Sequence, residues 1–244
     1  MAKIVMLIDT SKCIGCRGCQ VACKQWHNLP VEDPATSFTG EYTNPPDVSG
    51  TTLTRVKFTE FEDMSARLQW FFYKKQCMHC NHAECQIHCS KGVEKTREGF
   101  VVFNDDCTVA NLRNLKWSEA SVPPVDPDNP TDQEKIDRYI ELCPYDIPRH
   151  NGTRFVKCDF CFDRFGAKYT TYKDGKPTTA CELTCPSGAI VTDTAQNIKT
   201  LARARLNQVK KDYRKATLYG NRGRVVFLLT ESASSYELPR DIPK

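Results

Sequence analysis

Four cysteines near the N-terminus, spaced Cys13-x2-Cys16-x2-Cys19-x3-Cys23, constrain this chain more than any other feature. Gaps of two residues let one loop wrap a single face of a metal core, and Gly15 and Gly18 let its backbone approach and donate N–H bonds to sulfur. The fourth cysteine has entered a helix and points away, toward a different centre. The chain carries fourteen cysteines and only five histidines in 244 residues. Disulfide frameworks suit short secreted chains with small cores, whereas this chain is 40% hydrophobic and long enough for one or two real cores. Zinc takes four ligands in tetrahedral geometry and does not call for a third closely spaced thiolate. The spacing therefore points to iron–sulfur clusters, with a zinc- or disulfide-stabilised interaction module as the rival class.

A second group, Cys77-x2-Cys80-x4-Cys85-x3-Cys89, repeats the pattern with one longer gap. The last group is Cys158-x2-Cys161 followed by Cys181-x3-Cys185-Pro186, whose Cys-Pro ending is that of bacterial ferredoxins. Between them stand Cys107 and Cys143-Pro144, where the pattern breaks. A complete group starting at Cys107 would need cysteines where Ala110 and Arg113 stand, and an acidic, proline-rich excursion at 118–134 has displaced its Cys-Pro ending. Because paired groups share ligands crosswise, three sets of four are expected. Cys13, Cys16 and Cys19 take Cys185; Cys158, Cys161 and Cys181 take Cys23; Cys77, Cys80 and Cys85 take Cys143. Cys89 and Cys107 are left over. They read as free thiols, relics of a lost fourth site, with a disulfide between them or a site completed by His82 or His88 as alternatives. His79 and His82, inside the second loop, are expected to hydrogen-bond to sulfur or solvent rather than to bind iron.

Elsewhere the pattern predicts strands at 4–8, 52–61, 68–73, 100–103 and 224–229. Helices are predicted around 20–26, around Ile136, Tyr139 and Ile140 leading to Cys143, and over about 195–215. Ile198, Ala202, Leu206, Val209 and Tyr213 share one face of the last of these. Residues 28–50 read as a loop rich in Pro, Asn, Thr and Gly. Lys199, Arg203, Arg205, Lys210, Lys211, Arg214 and Lys215 make a basic run near the end, read as a solvated face, with docking to an acidic partner as the alternative. The formal charge of +4 counts cysteines as neutral. Each oxidised cluster with its four thiolates brings roughly two negative charges, so the charge implies no nucleic-acid partner. Neither a secretory signal nor a transmembrane segment of its own is expected.

The order and spacing of the groups resemble the four-cluster ferredoxin-like subunits of molybdopterin oxidoreductases, most closely the iron–sulfur β subunit of formate dehydrogenase. The likeness rests on residues 13–26 (CIGCRGCQVACKQW), Asn44-Pro45-Pro46-Asp47, Leu68-Gln69-Trp70 before Cys77-Met78-His79-Cys80, residues 143–149 (CPYDIPR), Lys157-Cys158-Asp159 and residues 180–189 (ACELTCPSGA). The cysteine loops alone also fit polysulfide, dimethyl-sulfoxide and nitrate reductase relatives. The resemblance, with the gap in the third group, implies the two-subunit type with three [4Fe–4S] clusters. It implies an α+β fold of two pseudo-symmetric ferredoxin-like halves: one discontinuous (1–50 and 146–195) with two clusters, the other (51–145) with one cluster and a degenerate site. A helix-and-strand extension (196–244) would follow. The implied partner is a large catalytic subunit holding a tungsten or molybdenum bis-pterin, where formate and CO2 interconvert; a cytochrome or other redox acceptor takes the electrons. Co-export with that subunit implies the periplasm, with the cytoplasm as the alternative. No catalytic residue is expected in this chain.

Overall fold

The computed structural model describes residues 2–32, 42–62, 67–166, 175–220 and 222–239. Parts of the loop expected at 28–50 and of the C-terminal extension, residues 33–41 and 240–244, lie outside them. The chain is a mixed α+β protein built from small sheets and short helices.

Strand β1 (Ile4–Asp9) is buried on both faces, as its unbroken apolar run requires. Helix α1 (Gly18–Trp26) follows the first cysteine loop, and β2 (Arg55–Glu62) pairs antiparallel with β3 (Leu68–Lys75) over their whole length. The second cysteine loop runs into a short helix, α2 (Glu84–His88). A small hairpin of β4 (Val93–Lys95) and β5 (Val101–Phe103) comes next. Helix α3 (Asp132–Glu141) starts with a reciprocal capping box between Thr131 and Glu134. Cys143 stands two residues beyond its end. The pair β6 (Arg149–His150) and β7 (Phe155–Val156) leads to the last cysteine group, which includes α4 (Ala180–Leu183). Then come β8 (Ile190–Thr194), α5 (Ala195–Val209), β9 (Thr217–Tyr219) and β10 (Val225–Leu229).

The largest sheet has the order β8-β1-β10-β9, so the first strand lies between two strands from the last quarter of the chain. β1 runs antiparallel to β8 and parallel to β10. Strand alternation divides its side chains between two cores. Val5 and Leu7 meet Ile198, Ala202 and Val209 of α5, together with Leu228. Met6 and Ile8 face the other way, into a cluster with Tyr73, Phe100, Phe160 and Phe227. The cysteine loops gather on this second side. Among the described residues, no helix is long and apolar enough to cross a membrane.

Several boundaries differ from those the sequence suggests. β2 begins at Arg55 rather than at 52, and α5 stops at Val209. Tyr213, expected on the apolar face of α5, lies past its end and is half exposed. The basic run is not wholly solvated: Arg205 donates to the buried Asp9 carboxylate at 2.8 Å.

Three cysteine-lined cavities form the candidate metal centres

The first loop leaves β1 through a 3₁₀ turn, Thr10–Lys12, capped by Asp9, whose carboxylate accepts the Ser11 N–H at 3.1 Å. The loop coils because Gly15 and Arg17 both take left-handed backbone, φ +65° and +62°. At Gly15 a Cβ would sit 3.0 Å from the Phe58 ring of β2, so glycine is needed for space as well as for conformation. The Gly15 N–H is bonded to the Cys13 sulfur. Cys13, Cys16, Cys19 and Cys185 line one cavity, together with Lys74 and Ser187.

Cys19 and Cys23 stand on successive turns of α1, about 6 Å apart along its axis. That step takes Cys23 into a second cavity, which it lines with Cys158, Cys161 and Cys181. Left-handed backbone at Phe160 and Cys161 turns the Cys158 loop, and Asp159 accepts the Cys161 N–H at 2.7 Å. Thr179 caps α4 and sets its hydroxyl 3.2 Å from the Cys181 sulfur. Cys77, Cys80, Cys85 and Cys143 line the third cavity with Ala83, Tyr145, Ile147 and Lys157. The His79 N–H donates to the Cys77 sulfur at 3.3 Å, and the backbone at Tyr145 and Ile147 bonds to Cys143.

Each expected set of four cysteines thus shares a cavity, and each set draws on two distant stretches of chain. Burial pushes the Cys19 and Cys80 thiols up to about 12 and Cys143 to about 11, and thiols sharing the cavity add to the rise. Such sulfurs stay protonated at neutral pH unless a cationic core takes the place of the protons. Four sulfurs around one space are the donor set that a [4Fe–4S] core takes, with backbone N–H groups turned to sulfur. The residues therefore fit that group.

Cys89 and Cys107 sit together elsewhere. Both are fully buried (0% exposed) among Val93, Val101, Tyr139 and Phe155, and neither lines any of the three cavities. They are hydrogen-bonded to each other and not joined as a disulfide. Sharing one proton lowers the first ionisation of the pair and raises the second. The Tyr139 hydroxyl lies 3.8 Å from the Cys107 sulfur and donates to the Cys85 carbonyl at 2.8 Å. Ala110 and Arg113, at the missing ligand positions, are exposed. Packed side chains surround the two leftover thiols.

Of the two histidines in the second loop, His79 departs from the expectation and the solvent-exposed His82 does not. The His79 ring accepts the Val101 N–H at 3.0 Å instead of meeting sulfur, and burial, with two lysines nearby, holds it neutral. The exposed His82 lies 3.5 Å from Glu84. His27, which sequence reasoning passed over, lines the second cavity and bonds Asp159 at 2.9 Å. Burial opposes its charge, but the bonds to Asp159 and Cys23 outweigh burial and push it up to about 11. Only its place four residues after Cys23, on the same helix face, hinted at this.

The fold and these cavities define a class: a small α+β carrier with several tetra-cysteine sites suited to iron–sulfur clusters. No family model matches the chain. It is 32% identical over 232 residues to formate dehydrogenase subunit beta of Megalodesulfovibrio gigas, covering 94% of both chains. It is 33% identical over 233 residues to formate dehydrogenase 2 subunit beta (cytochrome c-553) of Nitratidesulfovibrio vulgaris, again covering 94% of each. To the formate dehydrogenase-O iron-sulfur subunit of Escherichia coli it is 31% identical over 226 residues, 91% of this chain and 63% of that one. The chain belongs to the family of formate dehydrogenase beta (iron–sulfur) subunits.

Proposed function

We propose that this chain holds three [4Fe–4S] clusters and conducts electrons between the catalytic subunit of a formate dehydrogenase and an external acceptor. The convergence of twelve cysteines, four to each of three separate cavities, carries the reading. The ligands are Cys13, Cys16, Cys19 and Cys185; Cys23, Cys158, Cys161 and Cys181; and Cys77, Cys80, Cys85 and Cys143. Bound clusters supply one-electron carriers. The protein's own part is to bury the sulfurs, aim N–H groups at them and exclude water, which together set the potential.

The formate chemistry belongs to a partner subunit with a tungsten or molybdenum bis-pterin. Kinship supports this, since the relatives are subunits of formate dehydrogenases by name. A cytochrome is the proposed acceptor; the name of the Nitratidesulfovibrio vulgaris relative includes cytochrome c-553. We propose further that the fold comprises two pseudo-symmetric ferredoxin-like halves, and that the complex works in the periplasm after co-export with the catalytic subunit.

The test is iron, sulfide and zinc per chain in anaerobically purified complex, with spectra after reduction by formate and by dithionite. Roughly twelve irons in this subunit are expected. Near sixteen would overturn the three-cluster assignment. Zinc without iron would end the electron-transfer reading. Reduction by dithionite but never by formate would move the chain to another molybdopterin oxidoreductase.

A further inference from the structure

Two lysines are buried where lysine is rarely found. Lys74, near the end of β3, is 4% exposed, and Lys157, directly before Cys158, is 5% exposed. The Lys74 ammonium bonds the Gln76 side-chain oxygen. That of Lys157 bonds the Cys158 carbonyl at 3.0 Å and the Val101 carbonyl, and lies 4.7 Å from the centre of the Phe103 ring. Among the described residues neither forms an ion pair with a carboxylate. A buried ammonium needs a counter-charge or gives up its proton.

The location of the anions is informative. Lys74 lines both the first and the second cavity. It stands beside Cys23, Cys158, Cys161 and Cys181 in the second and beside Cys13, Cys16, Cys19 and Cys185 in the first. Lys157 lines the third cavity with Cys77, Cys80, Cys85 and Cys143, and its ammonium holds the carbonyl of Cys158, a residue that lines the second. Each ammonium therefore stands between two neighbouring cavities, and the order is first cavity, Lys74, second cavity, Lys157, third cavity.

We propose that Lys74 and Lys157 are positioning cations that couple successive clusters, each setting the potentials of the two centres beside it. The role rests on the cluster reading above. Taking up one electron adds one negative charge to a centre, with no bond made or broken. A fixed positive charge nearby favours the reduced form of the centres on both of its sides. Lysine suits the task because its charge is compact, and the carbonyl and amide partners hold it in place. The sequence showed no more than Lys74-Lys75 at a strand end and Lys157 beside a ligand.

The test uses anaerobically purified holocomplex carrying Lys74→Met or Lys157→Met, with iron counted and each centre titrated by electron paramagnetic resonance. Lys74→Met should lower the potentials of the first and second centres and leave the third in place. Lys157→Met should lower the second and third and leave the first. The expected change is tenfold or more in the reduction equilibrium, read as a shift of at least about 59 mV in a one-electron titration. Lys74→Arg and Lys157→Arg should keep the wild-type potentials, and Lys→Gln variants replace any Met variant that does not fold. Full iron content with unshifted potentials in the uncharged variants would overturn the role and leave the cluster reading standing. Equal shifts of all three centres in each variant would overturn it as well. A wild-type complex without iron in this subunit would instead refute the reading on which it rests.

Discussion

Cys19 and Cys23 offer the sharpest test of how the sites are wired. They are four residues apart on one helix, yet they line different cavities. If that separation is the ligation pattern, Cys19→Ala removes the centre of the first cavity and Cys23→Ala that of the second. Each single variant should keep two of the three [4Fe–4S] signals and fall from about twelve irons toward about eight. The double variant should keep one signal and fall toward about four, because the losses are independent and add. Alanine is preferred to serine, whose oxygen can take the place of the thiolate. Iron analysis with spin integration of the dithionite-reduced protein reads the result. Two variants that lose the same signal, with a double variant no worse than either, would refute crosswise sharing and return all four cysteines of the first loop to one centre.

Replacing Cys89 and Cys107 together by serine should leave iron content unchanged. Two hydroxyls in that apolar packing should cost about 1–3 kcal/mol each in denaturant unfolding, and lost iron would show that the pair belongs to a site. Leu228→Ala, which opens the contact between β10 and α5, should destabilise by about 2–5 kcal/mol in chemical denaturation; a loss under 1 kcal/mol would refute the packing described. Asp146 supports a pH prediction. Burial alone would raise its carboxyl, but hydrogen bonds from Arg149 and Lys75 outweigh burial and hold it below the usual range. Its stabilisation is therefore complete above the ordinary carboxylate pKa and is lost as pH falls through the depressed one. Asp146→Asn should lower Tm at neutral pH, and the gap to wild type should close with acidification; a gap that stays constant would refute the ion pairing.

Much of the frame is legible in the sequence because it rests on local rules. The apolar run of β1, the helical spacing behind α3 and the glycine-assisted coil at Cys13 each follow from a few adjacent residues. That Cys23 lines a different cavity from Cys13, Cys16 and Cys19 is legible too, since spacings of two and three set residues facing one space apart from one a turn further along a helix. Features set by distant chain are less visible. β8 has only five residues and reads like the end of a loop, and it becomes a strand because β1 lies beside it. His27 and Asp159 meet across 132 residues. Lys74 and Lys157 look like ordinary surface charges until the fold closes over them. His79 stands inside a cysteine loop, yet its ring is taken by a backbone N–H of β5, which no spacing rule reports.

The placement of β1 between β8 and β10 also sets a timetable for biogenesis. On a growing chain the first cysteine loop is made early, but Cys185, which lines its cavity, and both flanking strands arrive only near the end of synthesis. Metal delivered to the nascent N-terminus would meet three thiols in solvent, without a finished scaffold or the sheet that anchors them. Contacts this remote in sequence form late. On the proposed ligation, insertion of the first centre is expected to follow translation, and a chain cut short before β10 should forfeit a site whose ligands it still contains.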